Sequence, residues 1–296
     1  MKLINTILLL LLFHLNAGAQ NNDTISPQIN RYNADSTFFS DSSRHYSIGY
    51  HIKKMDTIIN ALIFESTARQ LIIDSSFLNI NWIGTTNFSA RKPSMVIIHH
   101  TAQDSCHKTL RVFTDTLRGV SAHYVICKDG TVYQMLHDYL RAAHAGVSKW
   151  GNLTNLNEVS LGIELDNNGF EAFTQAQMQS LLLLLKHLKL KYNVPAANFI
   201  GHADVAPARK QDPNVYFDWE TLSKNGFGLW QISNPDAKLP VDFSPSMALR
   251  IIGYDISNLK AAAQAFRRHY LKQNSNNVNF TNEEKMVLYS LMMQSL

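Results

Sequence analysis

Cysteine is scarce in this chain, with two among 296 residues against twelve histidines. Zinc held for structural purposes usually has its shell closed, typically with several thiolates, whereas zinc that does chemistry takes mostly histidine with an occasional carboxylate and keeps one position for water. The low cysteine count therefore argues against structural zinc and leaves the catalytic kind. Charge of one sign is also in short supply: 27 Lys and Arg against 23 Asp and Glu give +4, and +4 less the single charge of Lys2 gives +3 if the first 19 residues are removed. So small an excess predicts no nucleic-acid partner. Long apolar runs are missing after Ile7 to Phe13, which is itself too short to span a bilayer. No internal repeat is visible.

The N-terminus has the parts of a secretory signal over residues 1–19: Lys2, the apolar run, and Ala17-Gly18-Ala19 before Gln20 as an A-x-A cleavage site. No cysteine follows that site, so no lipid anchor is expected. The mature protein is expected to be exported, periplasmic or secreted, without an integral membrane segment, and monomeric. Residues 20–44, rich in Asn, Asp, Ser and Thr, read as a flexible leader. Residues 45–91 read as a small N-terminal elaboration of unassigned role, 92–238 as the main domain, and 239–296 as a separate helical domain. In an oxidising compartment Cys106 and Cys127 are either a disulfide or two buried thiols; spacing alone leaves both open.

The main domain alternates strand and helix patterns. Met95 to His100 is a short β-branched run ending in polar groups, and Leu110, Phe113 and Leu117 mark one face of a helix after it. Asp129-Gly130 between two β-rich runs predicts a hairpin. Ser160 to Leu165 reads as a strand with Leu161, Ile163 and Leu165 on one face and Glu164 on the other. Thr174 and Gln177 open a long helix as a capping box. Its leucine run predicts that it is largely buried, with His187 structural. After Pro240, three short helices begin near Ser244-Pro245, Leu259 and Thr281.

Two segments can supply a metal site: VIIHH at Val96 to His100, and GHADVAPARKQDP at Gly201 to Pro213. Strand alternation sends His99 and His100 to opposite faces, so one of them reaches the metal, and periodicity does not say which. The second segment offers His202 together with Asp204 or Asp212. Its proline-punctuated loop can fold a carboxylate and Lys210 back toward the same point.

Taken in order, IIHHTA, SAHYVICKDGTVYQ, HAG-x-S-x-W, SLGIELDNNG and GHADVAPARKQDP resemble the zinc-dependent N-acetylmuramoyl-L-alanine amidases of the amidase-2 family, whose fold is shared with peptidoglycan-recognition proteins. The resemblance spans Ser94 to Pro235. It implies an α/β fold with a central mixed β-sheet flanked by helices, followed here by a small three-helix C-terminal bundle similar to peptidoglycan-binding modules. It also implies Zn2+ as cofactor, with His99, His202 and Asp212 as metal ligands and Asp204 as the competing carboxylate. Glu164 matches the family's glutamate near the zinc water, and Lys210 its lysine near the scissile carbonyl. His123 and His144 match positions lining the cleft, with Trp150 nearby as a sugar or peptide platform. Ala143 replaces an aromatic residue of some relatives, and Ala122 a catalytic tyrosine of others, which favours the glutamate-based branch.

The implied activity is hydrolysis of the bond between N-acetylmuramic acid and L-alanine in peptidoglycan or a muramyl-peptide. Two competing readings are a catalytically silent peptidoglycan-binding receptor and a zinc peptidase acting within the stem peptide. The filled ligand and accessory positions disfavour the first, and product analysis separates the second.

Overall fold

The computed structural model describes residues 53–59, 69–73, 76–80, 91–232 and 238–296. The signal and leader expected at residues 1–44 lie outside them. The chain divides into two compact units, Met1–Thr86 and Asn87–Leu296. Within the first, residues 53–59 form helix α1, and strands β1 (Arg69–Ile73) and β2 (Ser76–Ile80) pair as an antiparallel hairpin.

The second unit is built on a mixed five-stranded sheet. Its strands are β3 (Met95–His100), β4 (Tyr124–Ile126), β5 (Val132–Gln134), β8 (Ser160–Leu165) and β9 (Phe199–Gly201), in the order β5-β4-β8-β3-β9. β8 and β9 both run parallel to β3, β4 runs parallel to β8, and β5 closes one edge antiparallel to β4. The hairpin expected at Asp129-Gly130 joins β4 to β5, with Gly130 at φ +87°. A short antiparallel ribbon, β6 (Lys149–Trp150) and β7 (Leu153–Thr154), precedes β8.

Alternation gives the sheet two unlike faces. Val96, Ile98, Leu161, Ile163 and Leu165 pack with Leu181, Leu185 and Leu188 of helix α3 (Gln175–Tyr192) and with Trp219 and Leu222. Met95 and Ile97 on the other face pack with Ala145, Leu156, Ile200 and Val205. Helix α3 begins at the Thr174–Gln177 capping box and ends at Asn193 in the left-handed region. It is less buried than its leucine content predicts, because Leu183 and Leu190 are 72% and 76% exposed; only one stripe of the helix meets the sheet, and His187 lies on the exposed side. Helix α2 (Cys106–Thr114) stops at Asp115. Leu117 therefore lies beyond it and is exposed, in contrast to the face expected for it. Cys106 on α2 and Cys127 after β4 form a disulfide with Cα atoms 5.4 Å apart, which settles the pairing left open by the spacing.

Helix α4 (His202–Val205) follows β9 directly, and α5 (Trp219–Lys224) comes after the loop that carries Asp212. The C-terminal segment forms α6 (Pro245–Ile252), α7 (Leu259–Leu271) and α8 (Asn282–Ser295), capped by Ser244, Asn258 and Thr281. Its core of Leu249, Tyr254, Phe266, Leu288 and Leu291 takes in Trp150, Leu229 and Trp230 from the preceding domain. A β-carbon on Gly253 would overlap the Trp150 indole, so that glycine admits the ring. Helix α7 also packs on α4 and α5. The three helices are thus part of the Asn87–Leu296 body, not the detached bundle expected from their caps and proline-bounded start.

This seam generates a prediction. Deleting residues 239–296 uncovers Trp150 and Trp230, and a loss of several kcal/mol lowers the melting temperature of a chain this size by on the order of 10 °C. Calorimetry of the full and shortened chains checks it; equal melting temperatures would show a satellite.

Candidate metal centre and active site

The parallel pairing of β3 with β8 sets His99 opposite Glu164 and His100 opposite Leu165. His99 therefore shares its face with Met95, Ile97 and Glu164, away from α3. His100 points to the opposite face, where its Nδ1 is buried without a hydrogen-bond partner. Edge strand β9 runs along β3 and delivers His202 at the first position of α4. The loop after α4 returns so that Asp212 O accepts from Ala203 N at 2.7 Å, placing the Asp212 side chain beside both rings.

Three donor atoms meet there. His99 Nδ1 and His202 Nδ1 are 2.9 Å apart, and Asp212 Oδ2 lies 3.1 Å from the first and 2.9 Å from the second. Among the described residues, these are the side chains grouped so that they could hold a metal ion. Ligands about 2.0–2.1 Å from a tetrahedral zinc stand roughly 3.3 Å from one another, so a small outward shift of each donor separates this triangle from a ligand set. The hydrogen bonds around it test the fit. His202 Nε2 donates to Ala145 O at 3.1 Å, which in a neutral ring leaves a lone pair on Nδ1 facing a carboxylate oxygen. Two lone pairs at 2.9 Å repel unless a positive charge lies between them, and a divalent cation supplies one. Two imidazole nitrogens and one carboxylate oxygen are also a zinc donor set with a fourth position open.

Electrostatics prepare the same state. Burial first, then the neighbouring His202, pushes His99 down to about 4, so its ring is neutral at physiological pH.

Glu164 stands beside the triangle, with Oε1 3.9 Å from His99 Nδ1 and Oε2 buried without a partner. Burial, then the Asp212 charge, pushes it up to about 8, while Lys210 pulls the other way. The Lys210 charge also bears on His99, so the lysine and the glutamate expected to work together do converge.

Asp204 does something else. Its Oδ2 accepts from Gly201 N at 2.8 Å and from His269 Nδ1 at 2.7 Å, and its Oδ1 accepts from Tyr254 OH at 2.7 Å. His269 is itself stacked between Trp219 and Tyr270, with ring centroids 3.9 and 4.0 Å away. The competing carboxylate is therefore a buried brace that ties the loop carrying Asp212 to α7 and to the segment leading into it.

Two expected cleft residues are placed differently. His123 is fully buried; its Nδ1 accepts from Gly162 N and its Nε2 donates to Leu140 O, both at 3.0 Å. With both nitrogens spent on backbone, it fixes the sheet to the 137–140 loop and lines no open wall. Trp150 is engaged edge-on with Tyr254 at 5.1 Å in the helical seam, with only part of its surface left exposed. His144 does reach the site, with Nδ1 3.0 Å from His99 Nε2. Burial, then His99 and His123, hold it well below 6.5. Sequence reading passed over Ser160 and Asn157, whose partners lie in this same neighbourhood; the serine and glycine of SLGIEL, on the Glu164 face of β8, were the available signal.

The sequence profile described as N-acetylmuramoyl-L-alanine amidase (Amidase_2) matches residues 89–215, a stretch containing His99, His144, Glu164, His202, Lys210 and Asp212. The N-acetylmuramoyl-L-alanine amidase AmiD of Escherichia coli K12 is 32% identical over 211 residues, covering 60% of this chain and 74% of that protein. The chain belongs to the N-acetylmuramoyl-L-alanine amidase family. This amidase is also 42% identical over 100 residues to the 1,6-anhydro-N-acetylmuramyl-L-alanine amidase AmpD of Citrobacter freundii, covering 34% of the chain and 54% of that protein. Its fold overlays on the structure of E. coli AmiD in complex with anhydro-N-acetylmuramic acid-L-Ala-D-gamma-Glu-L-Lys with a TM-score of 0.62 and 25% identity, over 76% of this chain and 97% of the other. AmpDh3 from Pseudomonas aeruginosa in complex with anhydromuramic pentapeptide overlays with a TM-score of 0.61 and 25% identity, over 72% and 96%.

The environment of Glu164 in the amidase makes a pH prediction for zinc-free protein. Its carboxyl is raised from 4.5 to about 8 on folding, so between those values the folded state holds a proton that the unfolded state has released. Stability from this group is therefore lost as pH rises through the window. His99, lowered by folding, has the opposite slope below 6.5, but it is common to wild type and Glu164→Gln. Urea unfolding should place the two close together near pH 5 and the wild type progressively below the variant toward pH 8.5. A constant difference across that range would contradict the burial of Glu164.

Proposed function

We propose that this amidase is an exported zinc enzyme that cleaves the amide between N-acetylmuramic acid and the L-alanine of the stem peptide, in peptidoglycan or its muramyl-peptide fragments. The observation that carries the reading is the unpartnered Glu164 carboxyl set beside a triangle of His99, His202 and Asp212 donors. The muramyl-peptides held by the related AmiD and AmpDh3 structures support the substrate class. Export rests on the features of residues 1–19. Among the described residues no helix is long and apolar enough to cross a membrane.

His99, His202 and Asp212 would hold the zinc, which when bound lowers the pKa of a water toward neutrality and polarises the amide oxygen. The side chains do the rest. Glu164 acts in its carboxylate form, accepting a proton from the attacking water, and the burial that raises its affinity for a proton suits it to this task and to returning the proton to the leaving amine. Lys210, whose charge acts on Glu164, offsets the charge that develops on the carbonyl oxygen. Neither group needs to bond covalently to substrate, so the reaction is a direct hydrolysis.

Glu164→Gln is expected to keep its zinc and lower turnover of a soluble N-acetylmuramyl-peptide by a factor on the order of 10² to 10⁴. Lys210→Ala should keep the metal and lose roughly 10² to 10³ in turnover. His99→Ala should lose zinc, while His100→Ala, on the opposite face, keeps most of it. Metal analysis beside steady-state rates checks all four variants. Near wild-type turnover in Glu164→Gln would remove it from the reaction, and zinc loss in His100→Ala but not His99→Ala would overturn the ligand set.

A further inference from the structure

Both candidate histidine ligands are held from behind by one short segment, His144–Ala145. The segment is itself pinned, because Asn157 Oδ1 accepts from His144 N at 3.1 Å and from Ala145 N at 2.8 Å. Ala145 O takes the Nε2 proton of His202 at 3.1 Å and a second hydrogen bond from Arg209 Nη2 at 2.7 Å. Its neighbour's side chain takes charge of His99.

Proton positions along that second line follow from its far end. Leu156 O can only accept, and Ser160 Oγ lies 2.5 Å from it, so the single hydroxyl proton of Ser160 is spent there. Ser160 Oγ is then an acceptor toward His144 Nε2 at 3.2 Å, which puts the His144 proton on Nε2. His144 Nδ1 in the neutral ring is left to accept, and the atom 3.0 Å away is His99 Nε2. A neutral His99 that donates through Nε2 has its lone pair on Nδ1, the atom in the triangle with His202 and Asp212. Sequence makes room for this line: Ser160 and Gly162 alternate with the core residues Leu161 and Ile163 on β8, and a β-carbon at Gly162 would overlap the His144 ring.

We infer that His144, backed by Ser160, is a positioning residue that selects the metal-binding tautomer of His99, and that His144–Ala145 thereby orients both histidines of the centre. This replaces the cleft-wall role expected for His144 and rests on the zinc reading of the site. Outer partners of this kind fix ring orientation and typically change metal affinity by 10- to 100-fold when removed.

The test is a zinc affinity measured by competition with a chromogenic chelator, together with 15N NMR of histidine tautomers in the zinc-free protein. The NMR readout makes no use of metal or activity, so it separates failure of this inference from failure of the zinc reading. His144→Ala should weaken zinc by 10- to 100-fold, and Ser160→Ala by less. His144→Gln, whose amide can accept from His99 and donate to Ser160, should recover most of the affinity. In zinc-free wild type the His144 line should hold the His99 proton largely on Nε2 against the pull of Asp212 on Nδ1, and in His144→Ala the population should shift toward the Nδ1 tautomer. Zinc affinity within twofold of wild type in His144→Ala, with an unchanged His99 tautomer, would overturn the inference. So would a folded His144→Gln that binds zinc no better than His144→Ala, or a His144→Ala whose sole defect is a raised KM.

Discussion

A buried carboxylate that faces two imidazole nitrogens is the constraint around which this domain is arranged. Asp212 Oδ2 lies 2.9 Å from His202 and 3.1 Å from His99, in a place where an uncompensated charge costs about 3–5 kcal/mol. Such a group persists only if a positive charge shares its space and if the surroundings prevent the three donors from moving apart. The second condition accounts for much of the nearby architecture. The parallel sheet fixes His99 and Glu164 side by side, and β9 feeds His202 into α4 from the adjacent strand. Asp204, two residues beyond His202, is held at both oxygens by Tyr254 and His269.

The C-terminal helices thus enter the chemistry indirectly. They place no described side chain in the triangle, yet they supply both partners that hold Asp204 from outside its own loop, and they pack against Trp150 of the ribbon that follows the His144–Ala145 segment. Rigidity near the Asp212 loop is therefore supplied by packing some distance from it. Any role the helices have in holding polymeric peptidoglycan is additional to this bracing.

Much of the fold was legible because its signals are local. Alternation in Ser160 to Leu165, the Thr174–Gln177 capping box and the Asp129-Gly130 turn each act within a few residues, and each appears where expected. The choice between His99 and His100 needed the register of β3 against β8, and the choice between Asp204 and Asp212 needed α7, more than fifty residues away. His123 and Trp150 were misread for the same reason: the groups that consume them, Leu140 and Gly162 for one and Gly253 and Tyr254 for the other, are supplied by tertiary packing. The leucine-rich α3 misled differently, since a helix on the outside of a sheet buries one stripe whatever the composition of the other.

The bond that is cut, and the source of the oxygen that replaces it, define the reaction most directly. A purified N-acetylmuramyl-tripeptide incubated with zinc-loaded protein in 18O-labelled water, with products read by mass spectrometry, should give a peptide beginning with the free amine of L-alanine and a muramic acid whose lactyl carboxyl carries one 18O. Both products should vanish after chelation and return with zinc. Scission within the stem peptide, an unlabelled lactyl carboxyl, or cleavage that survives complete removal of metal would contradict the zinc amidase reading.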